Sequence, residues 1–110
     1  MSFTLNITFI IEPGKETELL NFIRHKMIPS AFPDNSGYRN VQIKKLVEAG
    51  GKAPEPAHGL SIAMSADFPT RKEARDWEKD YLTPALKEFY AEFGSEALYF
   101  VTLLENLVIL

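Results

Sequence analysis

Phe3-Thr4-Leu5-Asn6-Ile7-Thr8-Phe9-Ile10-Ile11 opens the chain with a regular two-residue alternation. Phe3, Leu5, Ile7, Phe9 and Ile11 share one parity, and Thr4, Asn6 and Thr8 share the other. Successive side chains of an extended chain point to opposite faces, so this alternation describes a strand with one apolar and one polar face. Such a strand suits the middle of a sheet, its apolar face lying under helices. What meets the polar face is the functional question.

The same alternation returns where Leu60, Ile62, Met64 and Ala66 interleave with Ser61, Ala63, Ser65 and Asp67. Between these two strands, Glu12-Pro13-Gly14 breaks the first pattern. Lys15 to Ile28 then carries Leu19, Leu20, Phe22, Ile23 and Met27 at helical spacing. Pro29 is expected to stop that helix, and Phe32 to Gly37 reads as a loop. Val41, Ile43 and Val47 predict a strand over Asn40 to Glu48, disturbed at Lys44-Lys45-Leu46 as in a bulged edge strand. Ala49 to Ala57 holds two Gly and two Pro and reads as a loop.

Thr70 and Glu73 have the spacing of a capping box, which opens a helix from Arg71 to Phe93. Ala74, Trp77, Tyr81, Ala85 and Phe89 lie along its apolar side. Pro84 is expected to break or kink it, with Thr83 capping the restarted part, and Gly94 suits its end. Glu96 to Glu105 is a last strand, apolar on both parities. The order is β-α-β-β-α-β, the ferredoxin-like split pattern. The expectation is one α+β domain over residues 1–110, with a four-stranded antiparallel sheet and both helices on one face.

Composition narrows the function classes. Hydrophobic residues make up 45% and charged ones 25% of the 110 residues, as in an ordinary soluble globular protein. The net charge is −3, and 12 Lys and Arg are scattered among 15 acids, which argues against a nucleic-acid partner. There is no Cys, so disulfides, thiol nucleophiles and Cys-ligated zinc are excluded. The longest apolar run, Ala97 to Val101, is far short of the roughly 20 residues that span a bilayer. No membrane association is expected, and the cytoplasm is the default location.

The open face of such a sheet has a few uses. RNA readers place aromatic residues there, whereas here the polar parity of the central strands carries Thr4, Asn6, Thr8, Ser61 and Ser65. Metal-chaperone versions use a Cys pair, absent here. A third use is pairing of two sheets face to face in a dimeric α+β barrel. Leu98, Phe100 and Leu104 lie opposite in parity to Tyr99, Val101 and Leu103, so the last strand has apolar side chains to bury on both faces. That favours the homodimer. The apolar ending Leu107-Val108-Ile109-Leu110 is expected to extend this strand and pack on the partner.

Leu5-Asn6-Ile7-Thr8, Met27-Ile28-Pro29, Thr83-Pro84-Ala85-Leu86 and Phe100-Val101-Thr102-Leu103-Leu104-Glu105 together resemble the bacterial domain-of-unknown-function 4286 family. The resemblance spans nearly the whole chain and implies a ferredoxin-like, α+β-barrel type of fold with no established activity. Some members place a His or an aromatic residue directly before the Ile-Pro, where this chain has Met27.

Candidate chemistry is sparse. Asn6 with Trp77 is similar to the pairing in haem-degrading monooxygenases of this barrel class. Those also carry a His on the second helix, and Arg71 to Phe93 contains none. A Trp on an apolar helix face is a core residue by default. His25 lies roughly 150° around its helix from the apolar stripe, toward solvent or a neighbouring subunit. His58, beside a strand start, could serve as acid or base, but no carboxylate partner is placed by spacing. His25, His58 and Asn6 are therefore the weak catalytic candidates. Two isolated His make no metal motif, and no cofactor is implied. Gly50-Gly51-Lys52 lacks phosphate-loop spacing and reads as a hairpin. Asp67, Glu96 and Glu105 stand at strand ends, where carboxylates are usually solvated.

The leading functional expectation is a small dimeric binding or accessory protein. Its cavity is expected to hold an apolar or aromatic metabolite, with Asn6, Thr8, Ser61, Ser65, Trp77, Tyr81 and Tyr99 as ligand-binding residues. An enzyme of the barrel-monooxygenase or isomerase type is the alternative, and a purely structural interaction module is the third.

Overall fold

The computed structural model describes residues 2–53 and 59–108. Its strands are β1 (Phe3–Ile11), β2 (Arg39–Lys45), β3 (Leu60–Phe68) and β4 (Ala97–Glu105). They form one antiparallel sheet in the order β2-β3-β1-β4. Both alternating stretches are central, as their patterning requires. Register brings Ile7 beside Met64 and Phe9 beside Ile62, all on one face and all buried.

That face is covered by two helices, each interrupted by a π turn. The first, α1, comprises Glu16–Phe22, a π turn Ile23–Met27 and a last turn Ile28–Ala31, after a 3-10 turn Pro13–Lys15. The second, α2, comprises Arg71–Trp77, a π turn Glu78–Leu82 and Thr83–Phe93. The sequence leads one to expect Pro29 to stop α1 and Pro84 to break or kink α2; both helices run on past the proline, and in each the regular ladder is interrupted by the π turn just before it. In each helix the residue before the proline, Ile28 or Thr83, donates its N–H five residues back, to the Ile23 or Glu78 carbonyl. The wider turn comes just ahead of the residue that lacks a donor and crowds the preceding turn, and the chain continues helical. Thr83 accordingly keeps helical angles and does not cap a restart. The two helices pack on each other at these turns.

β2 also departs from expectation. It ends at Lys45 rather than Glu48, and its bulge lies between Arg39 and Gln42 rather than at Lys44–Leu46. Asn40 takes a left-handed conformation, φ 53°, which absorbs the extra residue, while Gln42 to Lys45 stay in register with Ser65 to Ile62. Val41 and Ile43 are thereby held against the core. Beyond it, Gly50 and Gly51 have φ of 61° and 78°, and Ala49 and Lys52 exchange backbone hydrogen bonds of 2.8 and 3.1 Å. Two successive positive φ angles are what a two-residue hairpin turn of this hand demands.

The core is one apolar cluster. Leu5, Ile7, Phe9, Ile23, Ile62, Met64, Trp77 and Phe89 are buried in it, and Leu20, Leu60 and Tyr81 are half-buried against it. Phe9, Phe22, Phe89 and Phe93 meet ring to ring at 5.0–5.9 Å. Thr70 caps α2, its hydroxyl accepting from the Glu73 N–H at 3.1 Å. Among the described residues no helix is long and apolar enough to cross a membrane.

Candidate functional site

The sheet face away from the helices carries the opposite parity of every strand. Thr4, Asn6, Thr8, Ser61 and Ser65 are half-buried there by their neighbours. The Asn6 amide donates to the Thr8 hydroxyl at 3.1 Å, and Asn6 lies between Ser65 and Thr102 in register. This polar stripe is bounded on the β4 side by Leu98, Phe100 and Leu104, which are 65%, 50% and 54% exposed. On the β2 side Gln42 and Lys44 complete the face.

One end of this face is a hydrogen-bonded network. Thr4 donates to Asp67 Oδ1 at 2.5 Å, and Asn40 Nδ2 donates to Asp67 Oδ2 at 3.1 Å. Asn106 Nδ2 donates to the Thr4 hydroxyl at 3.0 Å and to Ser2 Oγ at 2.9 Å. The Asn106 N–H also bonds the Ser2 carbonyl, which carries the β4–β1 pairing one step past Glu105. The cluster thus joins all four strands. It borders a concavity of about 380 Å³ lined also by Arg39, Phe68 and Pro69.

The residues expected to bind a ligand divide between the two sides of the sheet. Asn6, Thr8, Ser61 and Ser65 come together on the open face. Trp77, Tyr81 and Tyr99 lie on the helix side and cannot line the same cavity. Trp77 is 2% exposed, its indole N–H donating to the Ala31 carbonyl at 2.6 Å, with Phe32 stacked on it at 5.0 Å. Tyr81 is packed against the core, and the Tyr99 ring meets Phe89 edge-on at 6.0 Å. The Asn6–Trp77 pairing of haem-degrading enzymes is therefore not assembled, because β1 turns Asn6 away while α2 turns Trp77 inward. His25 is exposed on α1, near the Lys26–Glu92 ion pair of 3.1 Å, on the far side of the sheet from Asn6. His58 lies outside the described residues. Among the described residues no group of three or more His, Cys, Asp or Glu side chains converges as a metal site.

From the sequence alone Asp67 is expected to be a solvated strand-end acid. Its parity with Ser61 and Ser65 already placed it on the open face. What the sequence did not carry was the register that brings Thr4, Asn40 and Asn106 to it.

An open four-stranded sheet with two helices behind it and a polar stripe in front defines the class: a ferredoxin-like α+β protein of the kind that forms dimeric barrels. Similar solved structures agree. An ethyl tert-butyl ether d (ethd) family protein from Bacillus halodurans superposes with a TM-score of 0.68 at 11% identity, covering 97% of this chain and 100% of that one. SnoaB, a cofactor-independent oxygenase from Streptomyces nogalater, gives 0.64 at 13% identity, covering 99% and 96%. A dimeric ferredoxin-like protein from an uncultured marine organism gives 0.56 at 12%, covering 99% and 98%. At such identities the likeness is one of fold. No curated protein matches the chain. The chain belongs to the family described as domain of unknown function (DUF4286), whose pattern matches residues 2–107.

Proposed function

We propose that this protein is a homodimer whose two open sheet faces meet as an α+β barrel and enclose a cavity for a small apolar or aromatic molecule. The observation that carries the reading is the exposure of Leu98, Phe100 and Leu104 beside a half-buried polar stripe. At about 4.8 Å between strands and about 3.3 Å per residue, the sheet offers a face of roughly 19 by 30 Å. Pairing two such faces approaches the burial of a standard interface, about 800 Å² per partner. Two-fold symmetry repeats each apolar contact.

Asn6, Thr8, Ser61 and Ser65 then need partners, since a buried polar group left unpaired costs about 1–3 kcal/mol. Water or a ligand in the barrel supplies them, while the β4 side chains offer the apolar wall. Leu107 and Val108, 72% and 75% exposed, continue beyond Asn106, and we place them against the partner subunit. The likeness to a dimeric ferredoxin-like protein supports the assembly. The alternative enzyme reading needs His58 or His25 in the cavity with Asn6; His25 is on the far side of the sheet, and His58 lies outside the described residues.

A thermal-shift screen of haemin, flavin and aromatic acids tests the cavity. The expected result is stabilisation by an aromatic acid that is lost in Asn6→Leu together with Ser65→Val. No stabilisation by any of them, or stabilisation unchanged in the double variant, would remove the cavity.

A further inference from the structure

We propose that the concavity at the Asp67 end of the sheet is a binding site for a small α-amino-acid-like zwitterion, its carboxylate on Arg39 and its ammonium group on Asp67. The two residues are cross-strand partners on β2 and β3, so opposite charges stand side by side on one wall. Among the described residues neither takes part in an ion pair. Asp67 is held in place by two neutral donors, Thr4 and Asn40, one on each oxygen. A carboxylate has about four acceptor positions, so both oxygens keep capacity for a cation. Arg39 presents a planar fork that suits a carboxylate.

Ligand class follows from the pairing of signs. A simple anion entering here meets the Asp67 charge, and a simple cation meets that of Arg39. Only a molecule carrying both charges is attracted at both points, which is how a site rejects the wrong partner. Asn106 and Ser2 add amide and hydroxyl groups on one side, and Pro69 gives an apolar surface for a side chain. The volume of about 380 Å³ is within the range of small-molecule sites, about 300–1,000 Å³.

The test is a calorimetric titration of the full chain with glycine, leucine and phenylalanine, each beside its N-acetyl and its carboxamide derivative. The expected result is saturable binding of at least one free amino acid, weakened about tenfold or more by blocking either end. Asp67→Asn and Arg39→Gln should each cause a similar loss, while Lys44→Gln on the same face leaves binding unchanged. Arg39 is exposed, so its variant remains informative if Asp67→Asn disturbs the strand ends. No saturation up to about 10 mM, or binding indifferent to Arg39→Gln and to blocking of either end, would overturn the proposal.

Discussion

Trp77 and Asp67 show how differently two residues disclose their roles. Trp77 sits on an apolar helical stripe, and that periodicity alone predicts a core position. The structure adds the indole N–H to the Ala31 carbonyl, a bond between helices that no local pattern encodes. Trp77→Phe keeps a ring among Phe32 and Phe68 but leaves the carbonyl without this donor. We expect a loss of about 1–3 kcal/mol in urea unfolding; a change under about 0.5 kcal/mol would mean that the bond adds little. Asp67 is the reverse case. Parity gives its face, but its partners depend on the bulge at Asn40 and on the reach of Asn106 across to Thr4. Thr4→Val keeps the shape and removes the hydroxyl that links them. Unfolding should show a loss of about 1–2 kcal/mol, and an unchanged midpoint would contradict the linkage.

Among the elements, β1 and β3 were legible because period-two alternation has a single reading when one face is buried. Helix existence was equally plain. The passage of each helix through its proline was not, because whether a proline ends a helix or follows a π turn is decided by packing on the other side. Ala31 beyond Pro29, and Ala85, Leu86 and Phe89 beyond Pro84, are buried, and ending either helix at its proline would withdraw them from the core. Two lysines resemble an edge device wherever they stand, so the sequence points to a bulge at Lys44–Lys45, whereas the structure has it between Arg39 and Gln42. Capping was read correctly at Thr70, and Thr70→Ala should cost about 1 kcal/mol by denaturant unfolding. The entry to β3 depends on Gly59, at φ 83°, where an added Cβ would come 3.1 Å from Ile10 Cγ2 and the Ile11 carbonyl. Gly59→Ala should destabilise by about 1–3 kcal/mol in the same assay. A neutral effect would show that this loop yields easily.

At the scale of the whole molecule, the helix side of the sheet is full and the other side is unfinished. Sequence patterning showed this as a last strand apolar on both parities. The structure gives it form as a ridge of Leu98, Phe100 and Leu104 beside polar strands. The partner is not written in one chain's sequence, because a symmetric interface needs only self-complementarity and leaves no second motif. We propose that this face meets its copy. Light scattering on the full-length protein at tens of micromolar, beside Phe100→Asp, tests it most directly. Phe100 is half-exposed in the isolated chain, so the variant should still fold. A wild-type mass twice that of the chain, falling to the single-chain mass in Phe100→Asp, is the predicted result. A wild-type protein of single-chain mass, or a Phe100→Asp variant that remains fully dimeric, would contradict it.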